Sequence, residues 1–194
     1  MKVFWPLLCS LVCVNQVLAQ EPLQAVVPAK TTVVVVGSPA PVTLGESNRS
    51  VVIMDTQEHP RAFQTVEDRL RTDASTYIEQ RGAGGAQADI SIRGTSFEQT
   101  LVLINGLRVN DAQTSHHNLD LPVPMDGMSA IEVLHGAGST LYGSDAIGGV
   151  VDVVTAAPET TALRLRTGGG SFGENDQAFT GSVTGKKWSE LISG

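Results

Sequence analysis

The sequence predicts an α+β domain, a small mixed β-sheet with short helices, followed near residue 158 by strands of another kind. Three observations carry that expectation. Short apolar runs closed by Gly, Asn or Asp recur at 90–93, 101–104, 131–134 and 150–154, the punctuation of strands ended by tight turns. One stretch, 61–70, places Phe63, Val66 and Leu70 at helical spacing behind Pro60. Beyond Pro158 the pattern becomes strict alternation, with Leu163, Leu165 and Thr167 set against Arg164, Arg166 and Gly168.

The chain opens with Lys2 and an apolar run to Ala19, broken only by Pro6, Ser10, Asn15 and Gln16. A charged start, an apolar middle and a close in Val17-Leu18-Ala19 describe a secretory signal peptide, residues 1–19, cleaved after Ala19. A membrane anchor needs about 20 clean apolar residues and stronger flanks. Both cysteines, Cys9 and Cys13, fall inside this signal, so the mature chain is expected to have no disulfide and no cysteine metal site. The formal charge is −7, and loss of Lys2 makes the mature chain more acidic still. With no basic stripe and no interleaved aromatics, nucleic acid is excluded as a partner.

Residues 20–30 are Pro, Ala, Gln and Glu with scattered Val, a flexible leader by composition. The β-branched run after it, stopped by Gly37 and Pro39, is strand-competent but isolated. A second short strand is expected at 50–54 and one small helix at 61–70. Gly82, Gly84 and Gly85 then break the chain before the four apolar strands. Between 109 and 129 the pattern dissolves into polar, Pro-containing loop, and a loop of about 20 residues inside a compact domain is functional or disordered. Its place between two strands favours function. After the turn at 173–176, Phe179, Gly181 and Val183 alternate with Thr180, Ser182 and Thr184. An apolar or small face opposite a polar one is shared by transmembrane β-strands and by a soluble hairpin. The tail Lys186-Lys187-Trp188 is not expected to continue a third strand.

Three blocks are more specific: Ile-Ser-Ile-Arg-Gly at 90–94, Leu-Val-Leu-Ile-Asn-Gly-Leu-Arg-Val-Asn at 101–110, and Leu-Tyr-Gly-Ser-Asp-Ala-Ile-Gly-Gly-Val-Val-Asp-Val-Val-Thr at 141–155. In this order, behind an export signal, they resemble the plug domain of TonB-dependent outer-membrane receptors. The resemblance implies an α+β plug domain over 31–157 and the first strands of a transmembrane β-barrel over 158–194. Two strands cannot close a barrel, which takes at least about eight, because an open edge in lipid leaves backbone groups unpaired. The chain is therefore expected to be a truncated N-terminal portion of a receptor.

The second and third blocks look most like those of cobalamin and siderophore receptors. They imply energised uptake of a scarce nutrient such as a ferric siderophore or cobalamin. The partners implied are TonB of the inner-membrane complex, the small-molecule ligand, and outer-membrane lipid through the barrel. The location implied is the outer membrane with the plug exposed to the periplasm. No cofactor and no catalysis are implied.

By the same resemblance Thr32, Val33, Val34, Val35, Val36 and Gly37 are similar to the TonB box, and an extended β-branched peptide can add as an edge strand to a partner sheet. The alternative is a first plug strand that pairs within the domain. Arg93, Glu132 and His135 match positions of charge contact between plug and barrel wall, although the family places Arg or Lys where this chain has His135. The loop after Val109 corresponds to the apex facing incoming ligand, which makes Gln113, Thr114, Ser115, His116, His117 and Asn118 candidate contacts, with Thr95, Ser96 and Phe97 behind them. His116 and His117 also invite a metal reading, but adjacent side chains diverge and no carboxylate or Cys at ligand spacing completes a site. A solvated loop is the plainer expectation.

Gly136, Gly138 and Gly143 match neither phosphate-binding fingerprint and are read as turns. Ser139, Ser144 and Asp145 lack a histidine partner, so no catalytic residue is named. A secreted plug-like binding module acting without a barrel is the alternative function. A secreted β-rich hydrolase would need a catalytic group that the sequence does not offer.

Overall fold

The structure, a computed structural model, describes residues 33–34, 36–38, 40, 42–43, 47–59, 62–82, 86–111, 113–155, 157–173 and 175–194. The expected signal peptide and leader lie outside these residues, as do Thr32 and Val35. In chain order the elements are β1 (Val33–Val34), β2 (Val42–Thr43), β3 (Val51–Asp55), α1 (Val66–Leu70), β4 (Thr76–Gln80), β5 (Ala88–Ile92), β6 (Thr100–Ile104) and β7 (Leu107–Arg108). They continue with β8 (Met128–His135), α2 (Ser139–Tyr142), β9 (Gly149–Thr155), β10 (Ala162–Gly169), β11 (Asn175–Thr184) and β12 (Ser189–Ser193).

The central sheet has five strands in the order β3-β8-β9-β6-β7. It is mixed because β6 and β9 run parallel while the other pairs are antiparallel. Strands buried on both faces read as near-continuous apolar runs, and this explains Thr-Leu-Val-Leu-Ile in β6 and Gly-Val-Val-Asp-Val-Val-Thr in β9. Alternate residues go to opposite faces. Val102, Ile131, Val133, Val151 and Val153 pack under α1 and β5 through Val66, Leu70, Ile90 and Ile92. Leu101, Leu103, Leu134 and Val150 form a second core on the other face with Val36, Ala146 and Tyr142.

Turns follow the sequence closely. Asn105 and Gly106 both have positive φ, 52° and 77°, the requirement of a two-residue hairpin between β6 and β7. Gly149 allows β9 to start against β8: a Cβ there would stand 2.4 Å from the Leu134 carbonyl oxygen.

Three expectations are corrected, and one strand is new. The helix covers only Val66–Leu70, because Thr65 is extended and its Oγ1 accepts the Asp68 N–H at 3.2 Å, capping the helix there. The strand β4 was not anticipated; Ile78 is its only large apolar residue turned inward, too weak a period to read. The run after Thr31 is not isolated, since Val33 and Val34 pair antiparallel with Thr43 and Val42. Finally, the chain does form a third strand after β11. Lys186 and Lys187 lie in a turn closed by the Gly185 N–H on the Trp188 carbonyl at 2.8 Å, and β12 returns along β11.

Strands β10, β11 and β12 form a separate antiparallel sheet. Its register brings Leu165 opposite Phe179 and sets Leu163, Gly181 and Ile192 across one another, so the apolar residues share one face. That face is exposed, with Leu163 and Leu165 more than two thirds accessible. Among the described residues this sheet is open.

Candidate functional site

The middle of the long loop between β7 and β8, residues 116–120, is tied to β5, while Asp111, Gln113 and Thr114 are exposed. Asp89, in β5, is almost fully buried, and its Oδ2 lies 2.9 Å from His116 Nδ1 while Oδ1 accepts the His117 N–H. Asn118 Oδ1 accepts the Ile90 N–H at 3.0 Å, Leu119 donates to the Ala88 carbonyl at 3.1 Å, and the Asp120 carboxylate accepts the Ala88 N–H at 3.3 Å. Residues 116–120 therefore lie along β5 as a surrogate strand. The His116 ring stacks on Phe97 at 4.3 Å between centroids and 28° between planes. Phe97 also borders a cleft of about 340 Å³, lined with it by Tyr77, Glu79, Asp89, Ser91, Thr95 and Ser96.

These contacts sort the loop candidates. Thr95, Ser96, Phe97 and His116 come together at one place. Gln113 and Thr114 are exposed and turn onto Asp111, whose carboxylate accepts the Gln113 N–H at 2.9 Å and the Thr114 hydroxyl at 2.7 Å. Asn118 is corrected from ligand contact to structural group: it is buried and spends its side chain on Ile90 and the Phe97 carbonyl. His117 is held through its N–H and has φ 58°, and Ser115 has φ 53°. Left-handed backbone at two non-glycine residues costs energy that surrounding contacts must offset. Asp89, Tyr77 and Glu79 were missed by the sequence reading, and β4, which carries two of them, had no strong period.

The expected plug-barrel positions separate in the same way. Arg93 is exposed with φ 54°, and among the described residues its side chain makes no hydrogen bond or ion pair. Glu132 is corrected: it is buried on the second core face, where its Oε2 accepts the Val36 N–H at 2.9 Å. The Glu132 carboxylate thus faces inward from the centre of β8 and holds the N-terminal run. His135 is also turned inward, its Nε2 2.6 Å from Asp73 Oδ2 with both side chains under a tenth exposed, and its Nδ1 3.3 Å from the Ser50 hydroxyl. Burial opposes ionisation of Asp73, yet the Ser75 N–H and hydroxyl together with the His135 ring hold its carboxyl below the usual range.

Glu132 stands directly across from Asp152 of β9. Asp152 is fully buried and accepts the Gly106 N–H on both oxygens at 3.2 and 3.1 Å. Burial, aided by Glu132, pushes its carboxyl up to about 6 in spite of those hydrogen bonds. Above the pair, the Tyr142 hydroxyl donates to the Val36 carbonyl at 3.1 Å. The segment at Val36 is thus held by its N–H, its carbonyl and a fully buried side chain. A further contact went unforeseen: Arg166 of β10 reaches Asp126 and Asp176, each at 3.2 Å, and joins the second sheet to the loop before β8.

A mixed five-stranded sheet, a short hairpin bearing tied-down loops and an open sheet with an apolar face together define a plug followed by barrel-type strands. Residues 43–150 match the TonB-dependent Receptor Plug Domain, and the chain belongs to that family. It is 31% identical over 151 residues to the vitamin B12 transporter BtuB of Vibrio vulnificus strain CMCP6, covering 77% of this chain and 25% of the relative. To the vitamin B12 transporter BtuB of Photobacterium profundum it is 38% identical over 93 residues, 47% of this chain and 15% of the relative. The chain thus spans a quarter or less of these relatives. Among solved structures the fold is similar to the ferripyoverdine receptor of the Pseudomonas aeruginosa outer membrane, with a TM-score of 0.64 at 15% identity over 78% of this chain and 20% of that one. It is also similar to the ferric yersiniabactin uptake receptor FyuA of Yersinia pestis, with a TM-score of 0.55 at 24% identity over 72% of this chain and 22% of that one.

Proposed function

We propose that the chain is the plug portion of an outer-membrane receptor that imports a scarce nutrient, a ferric siderophore or a cobalamin, driven by TonB. The domain limits are a plug at 31–157, a TonB-box segment at 32–37 and barrel strands from 158. The observation that carries this reading is the presence of two features on opposite sides of one central sheet: loops ordered around Asp89 of β5, which packs on one face, and a β-branched N-terminal run latched by Glu132 and Tyr142 on the other. Ligand at the loops and TonB at the N-terminal run are then coupled through the packed core between them, and such coupling acts in both directions. The apolar face of β10, β11 and β12 meets lipid once the barrel is closed.

The docked state of Val36 refines the TonB-box reading. Strand addition to TonB requires β1 to leave β2 and Val36 to leave Glu132, so the free run is the active form. Cells producing the receptor that contains this chain test the proposal through uptake of cyanocobalamin and of ferripyoverdine. Uptake of one of them, abolished when TonB is deleted, is expected. Uptake that is independent of TonB defeats the reading.

A further inference from the structure

We infer that Asp89 is the positioning residue of the candidate ligand site, fixing His116 against Phe97 as a preformed stacking surface for a flat conjugated ligand. The inference rests on the proposed import function. Asp89 is the one carboxylate on which the loop's two histidines converge: its Oδ2 takes His116 Nδ1, at 2.9 Å, and its Oδ1 takes the His117 N–H. Arg81 stands 3.8 Å away as its counter-charge. A carboxylate acceptor requires the proton on Nδ1, which fixes the ring's orientation and leaves Nε2 to face a ligand. Among the described residues Nε2 has no hydrogen-bond partner.

Asp89 holds the N–H of His117, whose backbone is left-handed, a conformation that surrounding contacts must offset. The outcome is two stacked rings, 4.3 Å between centroids and 28° between planes, of which Phe97 also borders a cleft carrying the hydroxyls of Tyr77, Ser91, Thr95 and Ser96. Flat rings stack on such a surface in offset geometry. Pre-ordering it removes the cost of arranging the loop when ligand arrives.

The test is carried out on the full chain with ¹⁵N-labelled histidine, His116 being assigned by loss of its signal in His116→Gln. Wild type should show His116 protonated at Nδ1, with ring protons displaced by Phe97. Asp89→Ala should lose both features and speed exchange of the His117 amide by about ten-fold, the effect of one net hydrogen bond. Asp89→Asn should keep the His117 amide protected, through its remaining carbonyl oxygen, while moving the proton to Nε2. Unchanged His116 tautomer and ring shifts in Asp89→Ala would overturn the assignment.

Cyanocobalamin and a ferric tris-catecholate are then titrated into wild type and Asp89→Ala. Movement of the His116 and Phe97 signals in wild type alone supports the full inference. Equal movement in both proteins overturns the positioning role. If neither probe moves wild type although the variant has lost the stack, the stacking-ligand assignment is overturned while positioning of His116 stands.

Discussion

Replacing Asp152 with Asn should stabilise the domain, and only above a defined pH. Asp152 is fully buried, and its folded pKa of about 6 stands above the ordinary 3.8. A raised carboxyl pKa means that the folded state binds the proton more tightly than the unfolded one. Stability from this group is therefore greatest below the ordinary value, declines as pH rises between 3.8 and about 6, and is flat beyond. At about 1.4 kcal/mol per pKa unit, the ionised carboxylate costs roughly 3 kcal/mol at neutral pH, an order-of-magnitude figure. Asn keeps one acceptor for the Gly106 N–H and gives up the other, which returns about 1 kcal/mol. The net expectation is a gain of about 2 kcal/mol near pH 7.5 and none near pH 4. Guanidinium melts of both proteins across that range measure the difference directly, and because Glu67 and Asp73 titrate in both, their contributions cancel. A difference independent of pH, or one that favours the wild type at neutral pH, would refute the reasoning.

Three further outcomes follow from the same geometry. Gly149→Ala should destabilise the chain by about 3 kcal/mol, because its Cβ meets the backbone carbonyl oxygen of Leu134 at 2.4 Å, a contact that no side-chain rotation relieves, as well as Ile92 Cδ1 at 2.7 Å; a thermal melt reads this, and an unchanged midpoint counts against the strand register. The depressed pKa of Asp73 gives stability that is present above its ordinary 3.8 and lost as pH falls through the lower folded value. Urea midpoints of wild type and Asp73→Asn should therefore converge in strong acid and separate above it. Glu132→Gln and Tyr142→Phe should each speed hydrogen exchange at Val36 by about ten-fold or less, since each removes or weakens one hydrogen bond, whereas equal rates would mean that the segment is held by packing alone.

Strands β6, β8 and β9 of the central sheet could be read from sequence because both of their faces are largely buried, and unbroken apolar runs such as Leu101 to Ile104 leave little ambiguity. The turn at Asn105 and Gly106 was equally legible, since positive φ at two successive residues calls for those residue types, but the short returning strand β7 was not. What stayed hidden was long-range and polar. Nothing local in Asp89 distinguishes it from a surface carboxylate until residues 116–120 arrive beside it, and Glu132 reads as a charge contact until Val36 is seen on it. Likewise Asp73, 62 positions away in sequence, pairs with His135, a match that no spacing rule provides. Thr65 was a signal that could have been used: a Thr before Val-Glu-Asp marks a helix start, yet the apolar period through Phe63 drew the boundary too early.

The claim that the N-terminal run hands force from TonB to the plug is tested most directly by calorimetry of a peptide spanning residues 30–40 with the periplasmic domain of TonB. Wild-type peptide should bind, and Val34→Pro should not, because proline removes a backbone donor and fixes φ where strand addition needs both. Equal binding by the two peptides would contradict the account.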